Sequence, residues 1–159
     1  MSVWQSIRNL QKILIGGKIL ENLTMLPDES RLRHHKDFSA VYQKGIRKNT
    51  SHLSLRALRH MQQPQLIEHS DQLYPDRPTR IGISISKKVN KGAVVRNRIK
   101  RQIRAALRQM LPYISKGWDL VIVVKPTAKQ CNYYEFLQQL EKLLAQVEVL
   151  HGYSRGSLL

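Results

Sequence analysis

The chain has 159 residues and a single cysteine, Cys131. One thiol excludes a disulfide framework and any zinc site that needs two thiolates. Acids are also scarce, with 11 Asp and Glu against 27 Lys and Arg. A two-metal hydrolytic site needs clustered carboxylates, and no close acidic pair accompanies the most basic stretch. His34 and His35 are adjacent, so their side chains diverge, and His52, His60, His69 and His151 are scattered. Catalysis by this chain's own residues is not expected. Long apolar runs are missing too. The longest is Leu120 to Val124, far short of the roughly 20 residues of a membrane-crossing helix. Gly16-Gly17 breaks the apolar stretch near the start and no small-residue cleavage site follows, so no signal peptide is read there. These absences leave nucleic acid, an anionic membrane surface or an acidic protein as candidate partners; the expectation is a cytoplasmic protein with no membrane partner.

What is present is positive charge. The formal net charge is +16, and hydrophobic residues make up 42%, enough for one core. Such a chain calls for a polyanionic partner. The basicity is local. From Arg80 to Arg108 there are ten Lys and Arg and no Asp or Glu, whereas 132–150 is close to neutral.

Residues 1–24 read as an N-terminal extension, and Met25 as a second candidate start. A domain is expected over 25–151, with a tail over 152–159. Asp37 to Lys44 reads as a short helix with Phe38, Val41 and Tyr42 on one side and Gly45 ending it. Ser51 to Leu58 alternates as a half-buried strand, with Leu53, Leu55 and Ala57 on one face and Ser54, Arg56 and Leu58 on the other. The stretch 59–79 has three prolines and no period, and reads as a long loop. Arg80 to Ser86 alternates again, Ile81, Ile83 and Ile85 inward, Gly82, Ser84 and Ser86 outward. Asp119 to Lys125 is apolar enough for a central strand, and Asn132 to Leu150 reads as an amphipathic helix.

Ala93 to Met110 carries most of the information. At 100° per residue, Val95, Ile99, Ile103, Ala106 and Met110 fall on one stripe, with Lys100, Arg101, Arg104 and Arg108 opposite. Arg96 and Arg98 flank the stripe, and Asn97 sits between them. Arginine offers planar paired donors that suit phosphates and base edges. A basic amphipathic helix can also lie on a membrane surface. Here, though, the apolar side is aliphatic, and the helix lies between two strands whose core needs that side. Just upstream, the Ile-rich strand delivers Lys87 and Lys88, and Gly92 permits the turn into the helix.

The run Arg80-Ile81-Gly82-Ile83-Ser84-Ile85-Ser86-Lys87-Lys88, followed by Ala93-Val94-Val95-Arg96-Asn97-Arg98-Ile99-Lys100-Arg101 and Arg104, strongly resembles the signature of the bacterial ribonuclease P protein family. Arg31-Leu32-Arg33, Asp37-Phe38, Val41-Tyr42 and Lys44-Gly45 match on one side, and Gly117-Trp118-Asp119-Leu120-Val121 with Pro126 on the other. The resemblance covers roughly 26–150.

It implies an α+β fold, a small two-layer α/β sandwich of a type shared with a ribosomal protein domain. One sheet face would be covered by helices and the other would form an open cleft, with a left-handed crossover carrying the Arg-Asn-Arg helix. It implies a protein subunit that helps a catalytic RNA remove the 5′ leader of precursor tRNA. The Mg²⁺ ions would be held by the RNA and none by the protein alone, which would be monomeric without RNA. Lys87, Lys88, Arg96, Asn97, Arg98, Lys100, Arg101 and Arg104 would face the catalytic RNA; Phe38, Tyr42, Arg56 and Ser84 would line the leader cleft. Three features depart from the family pattern, one of them the 59–79 loop, which is longer than the family minimum. Arg56 stands where an aromatic is frequent, and the link from Lys88 to Arg96 is one residue longer than the shortest. The alternative on composition is a structural RNA-binding protein such as a ribosomal protein.

Overall fold

A computed structural model describes residues 25–60 and 77–152. The readings made for 1–24, for most of the 59–79 loop and for the tail beyond Gly152 lie outside the described residues. Among the described residues, besides three short 3-10 turns, there are three α-helices and four strands: α1 (His35–Lys44), β1 (Ile46–Asn49), β2 (Leu53–Arg59), β3 (Arg80–Ser84), α2 (Ala93–Met110), β4 (Trp118–Val124) and α3 (Tyr133–Gln146). The sheet order is β1-β2-β4-β3, so the apolar strand β4 is internal, as its composition requires. β2 pairs antiparallel with β1 and with β4, while β3 and β4 run parallel. Parallel neighbours need a crossover, and α2 is that crossover.

The main core forms where α2 and α3 pack on one sheet face. Leu53, Leu55, Leu120 and Ile122 meet Ile99, Ile103, Leu107 and Met110 of α2 and Phe136, Leu140, Leu143 and Leu144 of α3. Full burial of each such side chain is worth about 1.5–3 kcal/mol. The apolar stripe of α2 therefore belongs to the core and is not available to a membrane.

The opposite face is not wholly open, which corrects the expectation of helices on one side only. α1 lies on it, joined by Leu32 and Val41 over Val121, with Phe38, Leu58 and Val123 around them. This also corrects Gly82, read as facing outward: it is buried, because Phe38 closes over it. α1 crosses the face diagonally. Its first turn meets β3 through Asp37 and Arg80, and its last turn meets β2 through Tyr42 and Arg56.

Three further differences have local causes. β1 was not read from the sequence, since its four residues have no alternation and are mostly exposed. α3 is shorter than read. It starts at a capping box in which Asn132 Oδ1 accepts from the Glu135 amide and Glu135 accepts from the Asn132 amide. It stops at Gln146, and Glu148 then takes a φ of 59°. Leu150 instead pairs with Ile114. Finally, Arg31 bridges Ile81 in parallel, with the Leu32 amide donating to the Ile81 carbonyl. The N-terminal segment thus shields the outer edge of β3.

Candidate nucleic-acid interface

The cationic ridge is built by α2 and its entry turn. β3 ends at Ser84, and the chain turns through exposed Lys87 and Lys88. Buried Val89 anchors that turn, and the Val89 amide donates to the Ser86 carbonyl. Gly92 caps α2 with no side-chain hydrogen bond, and the first turn holds no acid. The positive end of the helix dipole is therefore uncompensated by the chain itself.

The cations divide into two sets. Arg96 folds back, its Nη1 donating to the Asn90 and Lys91 carbonyls, each at 2.7 Å. It locks the Lys87–Lys88 turn onto the helix. Arg108 donates to the Met25 carbonyl at 2.8 Å, tying down the N-terminal segment. Arg98, exposed, makes one longer bond to the Lys129 carbonyl at 3.2 Å. Asn97, Lys100, Arg101 and Arg104 have no hydrogen-bond or ion-pair partner among the described residues. Arg104 is half-buried, and burial together with the charge of Arg31 lowers its pKa from the usual arginine value. An arriving anion would offset both effects. Arg31 was not singled out as a site residue in the sequence. The Arg31-Leu32-Arg33 alternation around buried Leu32 is the signal that it lies on an ordered surface. Asp28 pairs with Arg31 at 3.0 Å and with Arg33 at 2.7 Å.

Of the cleft residues, Phe38 is half-buried on Gly82, Tyr42 is exposed, and the Arg56 guanidinium lies 4.8 Å over the Tyr42 ring. Ser84 is half-buried on the same face, as is Val123, its partner on β4. The uncovered end of this face therefore leads directly into the Lys87–Lys88 turn. The fold brings these four residues to one face of the sheet and the ridge residues to α2.

The fold also brings together two acids that are far apart in sequence. Arg80 donates to both oxygens of Asp119, at 2.9 and 2.8 Å, and to Asp37 at 3.0 Å. His60 Nε2 stands 2.7 Å from Asp119 Oδ1. The Asp119 hydrogen bond, outweighing desolvation, raises the Arg80 pKa above its ordinary value. Both carboxylates are thus committed to one guanidinium, on the sheet face away from α2. Among the described residues no group of three or more His, Cys, Asp or Glu is arranged to hold a metal ion, and no helix is long and apolar enough to cross a membrane.

Comparison with known proteins bears on the family and the fold. The family model described as Ribonuclease P matches residues 26–148. A ribonuclease P protein component from a Cyanothece species is 56% identical over 131 residues, spanning 81% of this chain and 100% of the relative. The one from Trichormus variabilis is 49% identical over 138 residues, spanning 81% and 99%. Among solved structures, the Staphylococcus aureus RNase P protein superposes with a TM-score of 0.62 at 25% identity, covering 77% of this chain and 98% of that one. The Thermotoga maritima RNase P protein shares the fold, with a TM-score of 0.60 at 22% identity, covering 74% and 97%. These matches do not favour the ribosomal-protein alternative. The chain belongs to the ribonuclease P protein family.

Proposed function

We propose that this chain assembles with the catalytic RNA of ribonuclease P through the α2 ridge and seats the single-stranded 5′ leader of precursor tRNA beside α1. The observation that carries the reading is the division of α2. One side is wholly given to the core, while Asn97, Lys100, Arg101 and Arg104 on the other have no partner among the described residues. Lys87, Lys88, Arg96 and Arg98 complete the RNA-facing surface, with Arg96 also fixing its shape. Contacts of this kind read phosphate, sugar and shape, which suits a folded RNA. The face carrying Phe38, Tyr42, Arg56 and Ser84 offers what single strands need, a cationic track with stacking surfaces, each stack worth about 1–3 kcal/mol. Because this face runs into the Lys87–Lys88 turn, a strand lying along it would reach the RNA-facing ridge. Bond cleavage belongs to the RNA in this reading, and the protein adds substrate affinity. Among the described residues the two acids brought together are held by Arg80 and do not fit a Mg²⁺ ion; the ions would be RNA-bound. The protein would act in the cytoplasm, as a monomer before it meets RNA.

The direct test is the salt dependence of assembly with the catalytic RNA. Arg101→Ala with Arg104→Ala should weaken assembly and reduce the slope of log K against log salt by about one to two units. Arg96→Ala should lower the slope less and the melting temperature more, because its guanidinium is spent on the turn. An unchanged slope in the double variant would contradict phosphate contact by either residue.

A further inference from the structure

Two arginines face each other across the β1–β2 ladder. The register sets Arg47 directly opposite Arg56. Opposed residues of antiparallel strands project to the same face with β-carbons about 4.5–5.5 Å apart, and like charges there are destabilising. The face is the one that carries α1, because the Arg56 guanidinium lies over the Tyr42 ring. No carboxylate pairs with either arginine among the described residues. The two acids on that face, Asp37 and Asp119, are engaged by Arg80.

Arg56 is moreover incompletely satisfied. Its Nε is buried without a hydrogen-bond partner, and its Nη1 makes only a long contact, 3.4 Å, with the Tyr42 carbonyl. A buried donor left unpaired costs roughly 1–3 kcal/mol, more when charged. The fold thus sets the exposed Arg47 opposite Arg56, whose guanidinium lies against an aromatic ring and whose Nε still lacks an acceptor. A group with several acceptor oxygens and one negative charge would answer both deficits, and a phosphodiester is such a group.

We infer that Arg47 and Arg56 together seat one phosphodiester of the single-stranded leader at the β1–β2 edge of the cleft, with Tyr42 holding Arg56 in place. This rests on the cleft reading proposed above. The sheet face decides between RNA sources. The pair lies on the α1 face, whereas the catalytic RNA is assigned to α2 across the sheet. One face of the Tyr42 ring is covered by the guanidinium, so at this point the cleft grips backbone and is indifferent to base identity.

The test uses the assembled ribonucleoprotein and two precursor tRNAs, one with a long leader and one with a single-nucleotide leader. Arg47→Ala and Arg56→Tyr should each weaken binding of the long-leader substrate several-fold and lower its salt slope, and the double variant should lower it by roughly 0.7, the single-strand value for one lost phosphate contact. Binding of the short-leader substrate and assembly with the catalytic RNA should not change. Arg47→Lys should keep the slope. One methylphosphonate linkage at the responsive leader position should erase the difference between wild type and Arg47→Ala. Because the opposed pair is unfavourable in the free protein, the melting temperature of Arg47→Ala should hold or rise.

An unchanged slope in Arg47→Ala, with Tyr42→Ala still selectively weakening the long-leader substrate, would overturn the phosphate seat and leave the cleft reading standing. Equal losses on both substrates, or a loss in assembly with the catalytic RNA alone, would assign the pair elsewhere and overturn it. Absence of any leader dependence in the wild type would overturn the cleft reading and the seat together.

Discussion

Glycine inside a strand weakens it unless another group needs the space. At position 82 that group is Phe38. A β-carbon there would stand 2.7 Å from Phe38 Cε1 and closer still to its Cζ, so α1 can approach the sheet only because residue 82 has no side chain. Gly82→Ala should cost about 1–3 kcal/mol, the usual price of overpacking, read as a lower midpoint in denaturant; an unchanged midpoint would show that α1 does not depend on this approach. Cys131 gives a second residue-scale expectation. Burial, and secondarily the charge of Glu135, push its thiol up to about 11. Only the thiolate is reactive, so at neutral pH the folded protein should alkylate far more slowly than the unfolded one. Equal rates would contradict the burial of this side chain.

The placement of α1 is an element-scale matter, and charge fixes it as much as packing does. Arg80 of β3 joins Asp37 in the first turn of α1 to Asp119 of β4. Removing the cation would leave the Asp119 carboxylate, 8% exposed, with only His60 for company. Arg80→Met should therefore destabilise the domain by about 2–3 kcal/mol. This is below the 3–5 kcal/mol of a fully buried pair because Arg80 is itself 30% exposed. A loss under about 0.5 kcal/mol, the usual limit for an ordinary surface substitution, would show the clamp to be incidental.

The elements differ in how legible they were. α2 was read over Ala93–Met110 as it stands, because 18 residues of unbroken period leave little choice. β2, β3 and β4 followed from alternation and apolarity. β1 was invisible, since Ile46–Asn49 becomes a strand through its partner β2 and not through its own pattern. α3 was overextended because Val147, Val149 and Leu150 prolong the apolar side. Val147 and Val149 are buried and Leu150 half-buried through a turn at Glu148 and a bridge to Ile114, a long-range choice no local window contains. The clamp and the Arg47–Arg56 opposition were hidden for the same reason. The ridge residues could be named in advance, but not which of them the protein uses for its own backbone.

At the scale of the whole molecule, the domain presents two faces of different chemistry about one sheet. One bears a helix that is half core and half cation ridge; the other bears a short helix that leaves a polar, aromatic-edged strip open. β3 and the Lys87–Lys88 turn connect them. Among the described residues, the two acids that the fold brings together, Asp37 and Asp119, are both engaged by Arg80, and the proposal leaves the chain to hold RNA while the RNA cuts. The measurement that addresses this most directly is cleavage of a 5′-extended precursor tRNA at low Mg²⁺ by the cognate catalytic RNA, with and without the chain, and by the chain alone. The account predicts strong stimulation of the RNA and no cleavage by the protein by itself. No stimulation by protein shown to be folded, or cleavage by the protein without RNA, would contradict it.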